Sequence, residues 1–476
     1  MATLSKPGLE RSGSREPFIA SEPRPDAPAP RPTRSVRVTL SRVVGRALHA
    51  VARVIAAVVV AATTLPVVLL FVVSSVPLLI SVALVAADVA LLLALLRLER
   101  TPTLVGAVFA GLVAVSLFAV IASQRYATTP PIVDASGAPV VGSIASLEAV
   151  TLGGSRQWIT IRGRDARKPV LLFLAGGPGG SELTFARNVL GGLEEHFIVV
   201  NWDQPGAGKS FGAVPRSALT LGRFVADGHE LTLLLRERFH QEKIYLLGAG
   251  WGTVPGTLLV QRWPELFHAY IGAGQRTSVH EDDVAGYGRA LAIAAEHGDA
   301  ALVKKLRRNG PPPYSGWSVA LKNLDYRNVL NAYAREHARG ELTGHDLVAD
   351  AITGTEYGLA DRVNWFRGLW RGFTTVYPQL DTLDFARQAR TLGVPVYFLQ
   401  GRYDLVEMGS LLERWYRVLD APHKEIIWFE NSGHTPHAWE PTKVVDVLAS
   451  RVLPETVAPP VTDLYATVRP APRPRP

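Results

Sequence analysis

The stretch Tyr245-Leu-Leu-Gly-Ala-Gly-Trp-Gly252 decides the fold because it changes character halfway. Its first residues belong to the segment Lys243-Ile-Tyr-Leu-Leu247, whose apolar run is typical of a buried strand. Its glycines then predict a tight turn that opens a helix after Gly252. A strand-to-helix turn of this kind presents one residue at the positive end of the helix and suits a nucleophile. The residue in that position is Gly250.

Apolar runs and amphipathic helical segments alternate from about residue 145 to residue 453. Continuous apolar runs of four to six residues with helices between them indicate a parallel sheet covered on both faces. The sequence therefore predicts an α/β fold with a mostly parallel sheet. The predicted strands are 157–161, 170–174, 197–201, 243–247, 269–272 and 394–399.

Further motifs follow strands in the same way as the first. They are Ala175-Gly-Gly-Pro-Gly-Gly180, Asn201-Trp-Asp-Gln-Pro-Gly-Ala-Gly-Lys-Ser210, Gly401-Arg-Tyr-Asp404 and Asn431-Ser-Gly-His434. Their order resembles the α/β-hydrolase fold, and specifically its prolyl-aminopeptidase (proline iminopeptidase) branch. That branch carries His-Gly-Gly-Pro-Gly, Asp-Gln-Arg-Gly, Gly-x-Ser-Trp-Gly, Gly-Arg-Tyr-Asp and Ser-Gly-His. The resemblance spans about residues 145–453 and implies a serine hydrolase domain at 145–279 and 386–453.

The motifs suggest a role for each residue of an acyl-transfer site. His434 is expected to act as general base, with Asp404 orienting its imidazole. The backbone amides of Trp251 and Gly177 are expected to form an oxyanion hole. His437 is the competing histidine, three residues further on, and fits the motif less well.

The attacking atom is missing from this set. Gly250 occupies the nucleophile position, and glycine has no side chain with which to form an acyl-enzyme. The family's first-loop His is replaced by Ala175, and its Arg after Asp-Gln is replaced by Pro205. Thr253 and Ser210 are nearby hydroxyls, but Thr253 is expected to face the wrong way and Ser210 to shape the pocket.

Three interpretations stay open on these residues. The chain is a catalytically impaired relative that keeps the pocket for binding, a pseudoenzyme. Alternatively, it is an active hydrolase or aminopeptidase on small peptides or esters, using water activated by His434 and Asp404 or a displaced nucleophile. The third is a sequencing change or altered variant, against which the second departure at Ala175 argues.

Two motif-like segments are rejected as nucleotide sites. Residues 205–210 resemble the end of a phosphate-binding loop, but Asp203 stands where the motif needs its first glycine. Gly248-x-Gly250-x-Gly252 resembles a dinucleotide fingerprint, but Thr253 fills the slot of the third glycine. No metal-ligand spacing and no cysteine occur, so we expect neither a metal nor a cofactor.

Residues 280–385 interrupt the alternation with helical sequence rich in Trp, Tyr and Arg, and are predicted to form a lid. The resemblance implies a small-molecule or short-peptide ligand with a free N-terminus, whose amine is held by acidic lid residues. Glu281 stands where the branch places such an acid. The alternative is that Glu281 is a solvated acid at the start of the lid helix, beside Asp282 and Asp283.

The N-terminal region predicts a membrane anchor. Asp88 is the only ionisable residue between positions 54 and 96, and a third apolar stretch precedes Arg125. Three transmembrane helices are expected at about 54–73, 78–96 and 104–122 within residues 46–125, because about 20 apolar residues cross a bilayer. Asp88 is expected to make a helix-packing contact or to lie at the interface. Residues 1–45 and 454–476, rich in Pro and Arg, are expected to be disordered.

The charge distribution orients this anchor and excludes one class of partner. Residues 1–125 hold 13 Lys and Arg residues against 6 Asp and Glu residues, out of a net charge of +8 for the whole chain. The arginines before the first span predict a cytoplasmic N-terminus, so three spans place the hydrolase-like domain outside the cytoplasmic membrane. The nearly neutral remainder carries no basic cluster for nucleic acid. The expected partners are the lipid bilayer and a small ligand.

Overall fold

The computed structural model describes residues 35–97, 101–341 and 343–456. The disorder expected at 1–34 and 457–476 therefore concerns residues outside the described part, whereas residues 454–456, which were also expected to be disordered, are helical. The described residues from Val60 onward form one compact unit, and those before it belong to another.

Three long apolar helices come first: α1 Ser35–Val73, α2 Leu78–Arg97 and α3 Pro102–Arg125. Each contains a segment with a mean hydropathy of 2.7 and is long enough to cross a membrane. The expected spans lie within them. α1 begins at Ser35, ahead of the tail boundary that we expected at residue 45, because residues 35–44 contain neither Pro nor Gly to oppose a helix. Asp88 in α2 is buried, and its role stays a prediction.

An eight-stranded sheet forms the centre of the hydrolase-like domain. Its order is β1-β2-β4-β3-β5-β6-β7-β8, with β2 antiparallel to β1 and β4 and all other neighbours parallel. The strands are β1 Ile144–Leu152, β2 Ser155–Gly163, β3 Val170–Leu174, β4 Ile198–Asp203, β5 Ile244–Ala249, β6 Phe267–Ala273, β7 Val396–Gly401 and β8 Lys424–Phe429.

Apolar cores cover both faces of this sheet. Successive strand residues point to opposite faces, and both sets are buried: Leu172 and Leu246 pack on one side, Phe173 and Leu247 on the other. This explains why the parallel strands are continuous apolar runs instead of alternating ones. The predicted fold class, a mostly parallel sheet with helices on both faces, is confirmed.

Helices connect the strands and form the lid. The remaining helices are α4 Leu183–Val189, α5 Leu221–Phe239, α6 Thr253–Arg262, α7 Val279–Glu296, α8 Ala300–Asn309, α9 Val319–His337, α10 Leu347–Thr353, α11 Leu359–Thr375, α12 Phe385–Gln388, α13 Gly409–Val418, α14 Pro436–Trp439, α15 Pro441–Val447 and α16 Leu453–Thr456. Helices α7 to α11 lie between β6 and β7 and correspond to the lid expected at 280–385.

Two of the eight strands, β1 and β8, are absent from the six strands that were predicted, although the motif at 431–434 indicated that a strand precedes it. β1 is an edge strand that pairs only with β2, and most of its residues are partly exposed. Its sequence therefore lacks the continuous apolar run that marks the central strands.

Candidate active site

The turn after β5 keeps the shape of a nucleophile elbow. Gly250 has a φ of +49°, in the left-handed region that side chains with a Cβ rarely adopt. A Cβ built at this position would lie 3.1 Å from Nε2 of His434. The imidazole therefore faces the point from which a nucleophilic side chain would project.

His434 lies in the loop after β8, and its imidazole contacts an acid in the loop after β7. Its Nδ1 lies 3.3 Å from Oδ2 of Asp404. The other oxygen of Asp404 accepts hydrogen bonds of 2.9 Å from the backbone amides of Val406 and Glu407. These bonds fix the carboxylate behind the imidazole, in the arrangement of a base and its orienting acid.

A second carboxylate, which the sequence analysis missed, contacts the same imidazole nitrogen. Glu407 is 1% exposed, and its carboxylate lies in close contact with Nδ1 of His434 and forms an ion pair with the guanidinium of Arg276. Buried charges are tolerated when they are paired, and Arg276 supplies that pairing. The only signal in the sequence was an acid three residues after Asp404, which gave no indication of what it would face.

His437 lies in a different environment from His434. It is buried, and its Nε2 lies 3.1 Å from Oε2 of Glu182. The other oxygen of Glu182 accepts a 2.9 Å hydrogen bond from the amide of Gly176. Burial raises the pKa of Glu182, but the hydrogen bond and charge of His437, together with the amide of Gly176 and the charge of His434, hold this pKa below its usual value. His437 therefore stabilises the 175–180 loop through Glu182 and does not face Asp404.

The two expected oxyanion donors lie on neighbouring loops. Trp251 follows Gly250 directly, and its indole Nε1 donates a 2.9 Å hydrogen bond to Gln204, which in turn donates to the carbonyl of Ala175 at 3.3 Å. Gly177 has a φ of +145°, and a Cβ there would approach the amide nitrogens of the next two glycines. A chain of hydrogen bonds thus connects the elbow to the first loop.

The nearby hydroxyls are engaged in structural hydrogen bonds. Thr253 Oγ1 donates to the carbonyl of Gly250 at 2.6 Å and accepts from the amide of Arg276 at 3.1 Å. Ser210 Oγ accepts from the amide of Trp158 at 2.8 Å. In the described chain these bonds orient both hydroxyls toward the backbone.

Another buried cluster joins the first loop to the lid. Ser181 donates to Asp203 and lies 2.6 Å from the Tyr357 hydroxyl, while the Lys209 amide donates to Asp203 at 2.7 Å. Burial raises the pKa of Asp203 to about 7, and the charge of Asp361 adds to the effect. This acid is therefore easily protonated near neutral pH.

Glu281 lies in an exposed ion pair. Its two carboxylate oxygens accept hydrogen bonds of 2.6 and 2.9 Å from Arg414, and 42% of its side chain is exposed. Its neighbours point inward: Asp283 pairs with Arg327 at 3.1 Å, and burial raises the pKa of Asp282 to about 7. The structure thus brings Asp404, His434 and Gly250 together, whereas Glu281 contacts Arg414.

One cluster in the described part of the chain has the dimensions of a cation site. Asp404, Glu407 and His434 each offer a ligand atom within 4.8 Å of the others. The ion pair between Arg276 and Glu407 already supplies positive charge to this cluster. The expectation that the protein binds no metal and no cofactor stays a prediction.

Comparison with known proteins agrees with this fold. The model of the α/β-hydrolase fold family matches residues 169–441, more than half of the chain. The chain therefore belongs to the α/β-hydrolase fold family.

Individual relatives each cover 65% of the chain. The chain is 30% identical over 317 residues to the "Probable aminopeptidase YbaC" of Bacillus subtilis (strain 168), covering 65% of this chain and 97% of the relative. Among solved structures, it is similar to VinJ (19% identity, TM-score 0.49, covering 65% of this chain and 98% of VinJ). It is also similar to the proline iminopeptidase of Mycobacterium smegmatis (18% identity, TM-score 0.48, covering 65% and 99%).

Proposed function

We propose that the protein is a membrane-anchored α/β-hydrolase-family protein, similar to proline iminopeptidases, that binds a small ligand and has lost acyl-enzyme hydrolysis. The observation that carries this proposal is Gly250. The base His434 points its Nε2 to within 3.1 Å of the place where a nucleophile's Cβ would be, and no side chain is there. Without an attacking atom, a serine-hydrolase site cannot form its covalent intermediate.

The surrounding hydroxyls support the loss of this step. The hydroxyls of Thr253 and Ser210 form hydrogen bonds with backbone groups, and the hydroxyl of Ser181 donates to Asp203. Each would have to break a buried hydrogen bond to approach the imidazole, at a cost of about 1–3 kcal/mol. A displaced nucleophile is therefore disfavoured.

Direct activation of water by His434 is the second candidate function. Among the described residues, and leaving aside Gly250's chain neighbours and local backbone, only atoms of His434 come within 4 Å of the Cβ point at Gly250, so the space at this point is otherwise unfilled. Asp404 and Glu407 both contact Nδ1 and would keep Nε2 turned toward that space. Triads without their nucleophile retain only about 10³–10⁴-fold acceleration over water, so such hydrolysis would be slow.

For the ligand we propose a small peptide with a free N-terminus. The support is the relative described as a probable aminopeptidase and the acidic residues at the start of α7. Glu281 is the proposed amine contact, and it would exchange Arg414 for the ligand's ammonium group. Nucleic acid is not a proposed partner, because the excess of basic residues lies before residue 126.

For the topology we propose a cytoplasmic N-terminus and an external hydrolase-like domain. The support is the Arg-rich segment before the first span and the number of apolar helices. The ends of α1 and α3 both contact the lid, as expected if the two crossings made by α2 and α3 return the chain to the side on which α1 ends. Protease added to spheroplasts should degrade the domain at 145–453. Full protection in intact spheroplasts, with degradation after lysis, would contradict this orientation.

The test of function compares turnover with binding. We would assay the full chain in detergent against aminoacyl anilides and acyl esters, beside His434→Gln, and titrate it with a dipeptide and its N-acetylated form. We expect turnover at background in both proteins and binding of the free dipeptide only. Wild-type turnover that disappears in His434→Gln would support water activation instead. Equal binding of both dipeptides would refute the amine contact.

A further inference from the structure

The last long lid helix, α11, begins where two of the apolar N-terminal helices end. The amide of Leu359 donates a 2.9 Å hydrogen bond to Ser123 Oγ in the last turn of α3. Gln124 of the same turn donates to Asp361 at 2.8 Å, and the guanidinium of Arg362 donates to the carbonyl of Val73, the last residue of α1. The start of α11 is therefore bonded to the same end of both helices.

Apolar packing strengthens this junction. Leu359 of α11 lies in one buried cluster with residues from α1, α3 and the turn after α1. The other buried members are Val67, Leu70, Val73, Val76, Ala119 and Ala122. The junction is thus a packed contact, and the position of α11 follows that of the helix ends.

The two sides of α11 face different surroundings. Its buried side carries Trp365, whose Nε1 donates to the Ser181 carbonyl at 2.8 Å, and Gly368 and Gly372, which lie against the 178–179 backbone. Its outer side exposes large apolar side chains at i, i+3 and i+7, a spacing that places them on one face. They are Val363, Phe366 and Trp370, which are 59%, 48% and 43% exposed. We refer to these three residues as the outer face of α11.

We propose that the outer face of α11 lies in the interfacial layer of the bilayer that α1, α2 and α3 cross. The inference rests on the membrane insertion of those helices, which is part of the proposed function. The exposed apolar side chains of Phe71 and Val72 lie in the last turn of α1, to which α11 is bonded, so the apolar surface continues from the span onto the lid.

The residue types of the outer face fit a lipid surface. Trp and other aromatic residues are enriched where a membrane protein meets the headgroups. An exposed arginine, Arg367, lies between Phe366 and Trp370 and provides a positive charge for anionic lipids. Helices that combine an apolar face with basic residues commonly lie in the plane of the interface.

This placement brings the candidate site close to the membrane. The buried side of α11 packs against the loop that contains Gly177, while the opposite side would contact lipid. A helix with its side chains is about 10–12 Å wide. The first loop of the site would therefore lie roughly one helix diameter from the interfacial layer.

The natural absence of cysteine makes a direct test possible. Single-cysteine variants Val363→Cys, Phe366→Cys and Trp370→Cys of the full chain would carry a nitroxide label in phosphatidylcholine and phosphatidylglycerol vesicles. Collision rates with oxygen, which enters lipid, and with a water-soluble nickel chelate would be measured. All three side chains are exposed, so each substitution removes little buried packing.

Two further labels serve as references. Val418→Cys, at a 40% exposed position in the last turn of α13, reports water, and Leu117→Cys, 58% exposed in α3, reports a lipid-facing span. We expect the oxygen-to-nickel ratio at the three outer-face positions to exceed that at Val418→Cys several-fold and to approach that at Leu117→Cys.

Three results would overturn the inference. The outer-face labels could match Val418→Cys while Leu117→Cys reports lipid, which leaves membrane insertion intact but removes the lid contact. Leu117→Cys could itself report water, in which case both proposals fail. Finally, outer-face labels shielded from both reagents and broadened by coupling to each other would show that a second copy of the chain covers the face.

Discussion

Gly250→Ser is the substitution whose effect follows most directly from the distances in the site. A serine Oγ that hydrogen-bonds Nε2 of His434 at about 2.8 Å places its Cβ roughly 3.5 Å from that nitrogen. The observed distance from the Cβ point to Nε2 is 3.1 Å. The imidazole would have to retreat by about 0.4 Å, against Asp404 and Glu407 on its other side.

These values predict a partial gain of activity. Loss of the nucleophile costs about 10⁶-fold in a serine-protease triad, so this is the ceiling for its restoration. A misplacement of about 1 Å lowers the rate on the order of 10²-fold, so the smaller shift here is expected to lower the restored turnover about tenfold. The first loop, which has Ala175 in place of the family's His, is expected to lower the restored turnover further. We therefore expect Gly250→Ser to raise ester turnover by about 10³-fold or more over wild type.

Gly250→Ala is the matched control because it adds the Cβ without the hydroxyl. Both variants should lose about 1–2 kcal/mol of unfolding free energy, since φ is +49° and a left-handed conformation costs a non-glycine residue about that amount. Turnover of an acyl ester by the full chain in detergent would be compared with denaturant unfolding of the same samples. A gain below about tenfold in a folded Gly250→Ser, or an equal gain in Gly250→Ala, would refute the geometric reasoning.

Two further predictions concern stability. Because the pKa of Asp203 is raised to about 7, the folded state binds this proton more tightly than the unfolded chain. Its stabilising contribution is therefore present below about pH 4 and is lost as pH rises through about 7, and Asp203→Asn should weaken the decrease in unfolding free energy between pH 5 and 8. This prediction would be contradicted if the unfolding free energy of Asp203→Asn decreased between pH 5 and pH 8 by as much as that of the wild type. Gly179→Ala should destabilise the domain strongly, because its Cβ would overlap the carbonyl of Gly368, whereas Gly154→Ala, with positive φ and open space, should cost only about 1–2 kcal/mol. Equal losses of unfolding free energy would show that lid packing at Gly179 is not tight.

The sequence predicted the elements that have a strong local pattern. The central strands are apolar on both faces, so β3, β5 and β7 could be located from their runs alone. The edge strand β1 has no such run and was missed. The beginning of α1 lay earlier than expected because Arg-rich sequence can be helical when it lacks Pro and Gly.

In the site, too, only the residues that belong to a local sequence motif could be predicted. Asp404 and His434 were chosen because each ends a motif after a strand, and the structure brings them to 3.3 Å. Glu407 was missed because its role depends on Arg276, a residue 131 positions away in the chain, which pairs with it in the folded protein. Likewise, only tertiary structure places His437 beside Glu182.

The most direct test of the central claim is the intact mass of the wild-type chain after exposure to a fluorophosphonate, a reagent that attaches covalently to activated serine. The account predicts no adduct, because Gly250 faces His434 without an attacking atom. Gly250→Ser treated in parallel should gain one adduct, and Gly250→Ser/His434→Gln should not. A single adduct on the wild-type chain that disappears in His434→Gln would reveal a working nucleophile elsewhere in the site and contradict the account.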